Sequence, residues 1–184
     1  MRYIGLVHYP VLNREGELIV SAVTNLDIHD VARAAATYGV TNFFVITPIE
    51  RQMALTREII GHWLTGVGGT LNADRKRAME TVRVVSSVEE ALAAIKTKHG
   101  LAPEVYATTA CKHADAVSWR YLRNRMDMEA VPVCLLFGTA SGLAMELLGR
   151  VNGVLEPIYG VGDYNHLSVR SAVSVALDRL FGCY

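Results

Sequence analysis

Cysteine is scarce in this chain. Only three occur among 184 residues, Cys111, Cys134 and Cys183, far apart and in no CxxC pair. That excludes a disulfide framework and a dithiol redox motif, and it reads as the reduced thiols of a cytoplasmic protein. Long apolar runs are missing too. None approaches the roughly 20 residues that cross a bilayer, so no membrane role is expected. The opening stretch, MRYIGLVHYPV, is too short and too polar for a signal peptide. No charge of one sign prevails, with 18 basic residues against 18 acidic ones. That balance weakens a simple nucleic-acid reading, which wants a basic surface, and leaves RNA to a local basic patch. There is no GxxxxGK[ST] phosphate loop and no GxSxG nucleophile elbow. The six histidines fall in no metal-ligand spacing, so no metal is expected. Gly66-Val67-Gly68-Gly69 follows a helical pattern and lacks the spacing of a dinucleotide fingerprint.

What is present is a globular composition, 51% hydrophobic, in a length that suits one domain over residues 1–184. Short apolar runs alternate with helical patterns, the signature of an α/β fold. Strands are expected at Tyr3 to His8, Asn42 to Thr47, Thr81 to Val85, Glu104 to Thr108, Val133 to Phe137 and Val154. Asp27 reads as the N-cap of a first helix whose stripe is Ile28, Val31, Ala32 and Ala35, ending at Gly39. Leu55, Ile59, Ile60 and Trp63 mark a second helix. Gly66 to Arg77 reads as a glycine-rich, then basic, loop. Val88, Ala91, Leu92 and Ile95 face one way on another helix, stopped by Gly100. A basic helix is expected over Lys112 to Arg125, a short one over Ala140 to Gly149, and a last one carrying Val169, Ala172, Val173, Ala176, Leu177 and Leu180. The pattern predicts a mainly parallel sheet of about six strands with helices on both faces.

Three segments carry a resemblance. Asn25 to Arg33, NLDIHDVAR, followed by AAATYGVTNFFVITP, resembles the first motif of the SPOUT methyltransferases. LLFGTASGLAMELL resembles their second motif, a strand ending in glycine. EPIYGVGDYNHLSVRSAVSVALDRL resembles the third, a loop that feeds a helix. The motifs occur in the family's order and cover most of the chain. The whole sequence is similar to a group of small bacterial proteins predicted to be SAM-dependent RNA methyltransferases. The resemblance implies a C-terminal deep trefoil knot, a homodimer with its active sites near the subunit interface, S-adenosylmethionine as cofactor, and RNA, either tRNA or rRNA, as substrate.

A cofactor with an adenine, a ribose, a carboxylate and a sulfonium needs apolar walls and nearby backbone groups. Leu136, Leu155, Ile158 and Leu167 are the candidate walls. Gly138, Gly160 and Gly162 allow the backbone to approach and turn. Thr108, Thr109 and Ala110 form the third wall by analogy, with Thr139, Glu156 and Ser168 beside the second and third motifs. Arg33 is the catalytic or substrate-binding candidate, because relatives that methylate ribose keep an arginine there. A guanidinium binds phosphate bidentately but does not serve as a base. Asn25 is a candidate to orient that arginine or to bind substrate. His8 and His29 are weaker candidates for proton transfer.

The sequence departs from the ribose-methylating pattern at Thr139-Ala140 and at His166-Leu167-Ser168. Gly162-Asp163-Tyr164 resembles the third motif of the base-methylating branch. The acceptor therefore stays open between a base nitrogen and a ribose 2′-hydroxyl. Two basic clusters are candidate RNA contacts. One is Arg75, Lys76 and Arg77. The other is Lys112, Arg120, Arg123 and Arg125, with Trp119 and Tyr121 nearby. Two other readings remain: a non-catalytic RNA-binding or assembly module of the same fold, and an unknotted nucleotide-binding α/β enzyme.

Overall fold

The computed structural model describes residues 1–183. Six parallel strands form one sheet in the order β5-β4-β1-β7-β6-β8. They are β1 (Arg2–Val7), β4 (Asn42–Ile46), β5 (Val82–Val85), β6 (Glu104–Ala107), β7 (Val133–Gly138) and β8 (Gly153–Val154). A two-stranded hairpin of β2 (Val11–Leu12) and β3 (Leu18–Ile19) follows β1. The helices are α1 (Asn25–Thr37), α2 (Glu50–Leu64), α3 (Val67–Leu71), α4 (Ala73–Met79), α5 (Val88–His99), α6 (Trp119–Met128), α7 (Met145–Leu148) and α8 (Val169–Phe181).

Side chains alternate across a strand, and here both faces are covered. Ile4, Leu6, Phe43, Val45, Leu135 and Phe137 join one core, with the stripes of α1 and α8 and with Trp119 and Leu122 of α6. Tyr3, Val7, Phe44, Ile46, Cys134 and Leu136 join the other, with Val88, Ala91 and Ile95 of α5 and with Leu147. Burial on both faces is why these strands read as unbroken apolar runs. Gly5 sits where β1 lies between its neighbours: a Cβ there would meet Ile46 Cδ1 and Leu136 Cδ2 at 2.9 Å each.

Several local expectations change. Asp27 is not the N-cap of α1. Thr24 is, accepting a hydrogen bond from the Asp27 amide, while the Thr24 hydroxyl donates to the Asp27 carboxylate at 2.6 Å. The reciprocal bonds hold Asp27 in the first turn, where a negative charge complements the helix dipole. The Gly66 to Arg77 segment is helical, as α3 and α4, because Asn72 caps α4 by accepting from the Arg75 amide. The Lys112 to Arg125 helix starts only at Trp119, capped by Ser118. Residues 108–118 before it are largely irregular.

The Ala140 to Gly149 helix shrinks to the single turn α7. Ahead of it, residues 139–143 make a tight turn in which Ala140 (φ 51°) and Gly142 (φ 113°) are left-handed. Helix is impossible there. The turn is pinned instead to the hairpin: Leu12 N–H donates to the Gly142 carbonyl and Ser141 N–H to the Leu12 carbonyl, each at 2.9 Å.

Candidate active site

From β1 the chain runs outward to β4 and β5 on one side, and β7 and β6 fill the other. The switch point therefore lies between β1 and β7, where ligands of parallel sheets settle outside the carboxyl ends of the strands. A cleft of about 1010 Å³ opens there. Its floor is Phe137 to Gly142. One wall is Ser21, Ala22 and the α1 turn at Asp27, and another is Thr108 to Cys111 with Trp119. The third wall is Ile158, the segment Tyr164 to Val169, and Ala172.

The floor is narrow for a steric reason. A Cβ on Gly138 would stand 2.7 Å from the Leu143 amide nitrogen and 2.9 Å from the Gly142 carbonyl carbon. A relay of hydroxyls fixes the neighbouring wall. Thr139 Oγ1 donates to the Val7 carbonyl at 3.0 Å. Its only hydrogen is then spent, so Ser21 Oγ donates to Thr139 Oγ1 at 2.5 Å. With the hydroxyls in that order His8 Nδ1 donates to Ser21 Oγ at 2.9 Å, and Ser21 Oγ also lies 3.5 Å from the His8 carbonyl oxygen. His8 is wholly buried, and its Nε2 lone pair has no partner. Burial pushes its pKa down from 6.5 to about 4, against a smaller opposing pull from Asp27. His8 is thus a neutral structural donor and not a base at physiological pH.

The cleft carries a carboxylate, Asp27, and a guanidinium, Arg14, at the hairpin turn. Asp27 is buried, and its second oxygen meets Arg170 of α8 at 3.4 Å, while the same arginine reaches Asp30 at 3.5 Å. Apolar wall comes from Phe137, Ile158, Leu167 and Ala172. The indole Nε1 of Trp119 is buried without a partner beside them. Apolar walls, an unspent N–H, several hydroxyls and one charge of each sign suit a ligand with an adenine, a ribose and an amino-acid end.

Of the residues singled out from sequence, Thr108, Thr109, Ala110, Gly138, Thr139, Ile158, Leu167 and Ser168 line this cleft together. Leu136 does not. It is one residue out of phase, so its side chain enters the opposite core and Phe137 takes the wall. Leu155 is buried in the core beneath. Glu156 accepts a hydrogen bond from the Trp119 amide at 2.9 Å and so anchors the start of α6. Gly162 is exposed on the loop beyond the cleft. Asn25 and Arg33 are exposed on α1 and lie outside the cleft of their own chain. Arg14, Ser21, Asp27 and Phe137 were not singled out from sequence as site residues. The phase of β7 was a usable signal for Phe137. Nothing local marks the other three.

The chain matches a family described as SAM-dependent RNA methyltransferase over residues 1–182. It is 45% identical over 180 residues to a tRNA (guanine-N(1)-)-methyltransferase of Oleidesulfovibrio alaskensis, covering 98% of this chain and 42% of that protein. A protein of the same name from Nitratidesulfovibrio vulgaris is 40% identical over 183 residues, with 99% of this chain and again 42% of the relative covered. The chain thus spans less than half the length of these two relatives. Among solved structures, TrmJ from Z. mobilis ZM4 superposes with a TM-score of 0.65 at 19% identity, covering 98% of this chain and 68% of that one. An AdoMet-bound rRNA methyltransferase from Sinorhizobium meliloti superposes at 0.56 and 17% identity, covering 97% and 55%. The fold is that of the SPOUT methyltransferases, and the chain belongs to a family of SAM-dependent RNA methyltransferases.

Proposed function

We propose that this protein binds S-adenosylmethionine in the cleft at the β1–β7 switch point and methylates a tRNA. The carrying observation is the convergence on one cleft of the β7 and pre-α8 segments, which the sequence marks as separate motifs, with the end of β6 as a further wall. Phe137, Ile158 and Leu167 supply apolar wall for the adenine, and the Trp119 indole supplies a donor. Asp27 faces the positive end of the cofactor, and Arg14 offers a cation to a carboxylate or phosphate. When bound, the cofactor supplies an activated methyl group. What the protein adds is alignment and exclusion of water. The tRNA is favoured by the names of the two relatives. Their guanine-N1 chemistry is not carried over, because more than half of each lies outside the match.

Three finer features complete the reading. The chain threads a trefoil knot, supported by its path: after β8 at the sheet edge it hydrogen-bonds to the segment before α6, through Glu156 N–H to the Val117 carbonyl, then returns to pack α8 on β7 and α1. The protein is a homodimer, supported by the exposed Tyr159, Val161, Tyr164 and Leu167 around the cleft mouth. It works in the cytoplasm, consistent with its free cysteines. Among the described residues, no helix is long and apolar enough to cross a membrane, and no group of three or more His, Cys, Asp or Glu side chains is placed to hold a metal.

The test is transfer of labelled methyl from S-adenosylmethionine to unmodified tRNA and, separately, rRNA, followed by mapping of the labelled nucleotide. Label on tRNA, lost in a Gly138→Ala variant, supports the proposal. Cofactor binding without transfer to either RNA would make the protein a non-catalytic module.

A further inference from the structure

Two basic clusters stand out in the sequence, and the structure separates them. Two members of the α6 cluster, Arg123 and Arg125, are engaged inside the fold, while Lys112 and Arg120 are exposed. Arg125 is paired with Glu104 and with Glu129 at 3.0 Å. Arg123 donates to the carbonyls of Arg179 and Gly182. The other cluster is different. Trp63 on α2 is its hub, with His29 of α1 against the ring edge at 5.4 Å and His62 at 5.2 Å. The Arg75 guanidinium of α4 lies over the indole at 5.0 Å, a cation–π contact that leaves its N–H groups available. Arg33 stands one turn beyond His29 on α1, and Lys76 and Arg77 follow Arg75. No ion pair among the described residues neutralises Arg33, Arg75, Lys76 or Arg77. The carboxylates nearest in sequence are Asp30, already engaged by Arg170, and Asp74 and Glu80 at the two ends of α4, neither of which pairs with these cations among the described residues.

This surface starts on the helix that walls the cleft, though on another face of it: six residues on, Arg33 is turned about 120° from Asp27. Asp27, on the cleft wall, and Arg33 lie on the same helix six residues apart, about 9 Å along the axis at 1.5 Å per residue.

We propose that the α1–α2–α4 face, with Arg33, Arg75, Lys76 and Arg77 around Trp63, is the docking tract for the phosphate backbone of the RNA whose target nucleotide enters the cleft. The guanidinium and ammonium groups, with no ion pair among the described residues, match a polyanion. Arg33 thereby acts as a substrate-binding group outside the cofactor cleft. The proposal rests on the RNA-methylating reading.

The experiment compares wild type, Arg33→Glu/Arg75→Glu and the milder Arg33→Gln/Arg75→Gln. Binding of a fluorescent tRNA transcript is measured by anisotropy over a series of salt concentrations. Calorimetric titration with S-adenosylmethionine reports the cleft, and sedimentation reports the oligomer. Arg150→Glu is the control, since Arg150 pairs with Glu89 at the surface. The expected result is at least a tenfold loss of tRNA affinity in both double variants. The slope of log affinity against log salt should shrink by about one to two, because each lost phosphate contact removes ~0.7–0.9. Cofactor affinity should be unchanged, and the control should bind normally. Wild-type methyl transfer with tRNA affinity and slope unchanged in the double variants would overturn the tract alone. Changed sedimentation with an unchanged RNA slope would make this face a contact between copies and also overturn it. No RNA binding by the wild type would overturn the tract and the methylating reading together.

Discussion

Acidification should weaken this fold through one buried imidazole, and the size of the effect follows from its surroundings. His8 is neutral in the native state with a pKa of about 4, whereas in an unfolded chain it returns to the ordinary 6.5. Between those values the unfolded state holds the extra proton, so stability rises with pH and is lost as pH falls. Integrating over that window, His8 alone removes ~2 kcal/mol by about pH 5 and ~3 kcal/mol below about pH 4. For a chain of this size ~2 kcal/mol corresponds to about 4–8 °C in Tm. His29 also has a pKa lowered by burial and by Arg75, and its contribution to stability is lost as pH falls below the ordinary histidine value, whereas those of Glu89, Glu90 and Glu104, with lowered pKa values, are lost only below the ordinary carboxylate range. The comparison that isolates His8 is therefore wild type against His8→Asn, whose amide keeps a donor for Ser21 and has no proton to gain. Urea unfolding at about pH 7.5 and about pH 5 should show the wild type losing ~2 kcal/mol more than the variant over that interval. Parallel losses in the two proteins would refute the assignment of His8 as a buried imidazole that is neutral in the native state.

Two further outcomes test the cleft. Gly138→Ala should cost at least about tenfold in S-adenosylmethionine affinity, ~1.4 kcal/mol, because the added Cβ meets backbone that cannot swing away. Gly162→Ala should change it by less than about twofold, since nothing lies within 4 Å of the added atom; calorimetric titration reads both. Phe137→Leu should weaken cofactor binding by removing ring surface from the wall, while Leu136→Met, a swap of similar volume in the opposite core, should leave affinity intact at a cost under about 1.5 kcal/mol of stability.

The sheet was legible because its strands are buried on both faces and so stand out as apolar runs between polar turns. Helices α1, α5 and α8 were legible from their stripes, and the stops at Gly39 and Gly100 from the glycines themselves, both at positive φ. Glycine misled elsewhere. Gly68 and Gly69 suggested a loose loop. In fact a side chain at Gly69 would collide with the Trp63 carbonyl oxygen, so these glycines serve close packing of α3 against α2. The hairpin β2–β3 escaped notice because two-residue strands leave no periodicity. The turn at Ala140 read as helix because its true partner, Leu12, is far away in sequence. The cleft was half legible for the same reason. Thr108 to Ala110, Gly138, Thr139, Ile158, Leu167 and Ser168 sit in contiguous motifs. Ser21 and Asp27 belong to the site only through tertiary contacts, and Phe137 through strand phase.

The pinning of the Ser141–Gly142 turn to Leu12 has a consequence for how the site comes into being. Its floor is sewn by bonds across some 130 positions of chain, and its far wall belongs to the segment entering α8. Contacts so distant are late and slow to form, because loop closure must come first. Until the last helix docks, the cleft lacks its far wall. A ligand with affinity for the cleft alone would then act as a latch on the finished molecule, drawing the population forward only after every third of the chain has found its place.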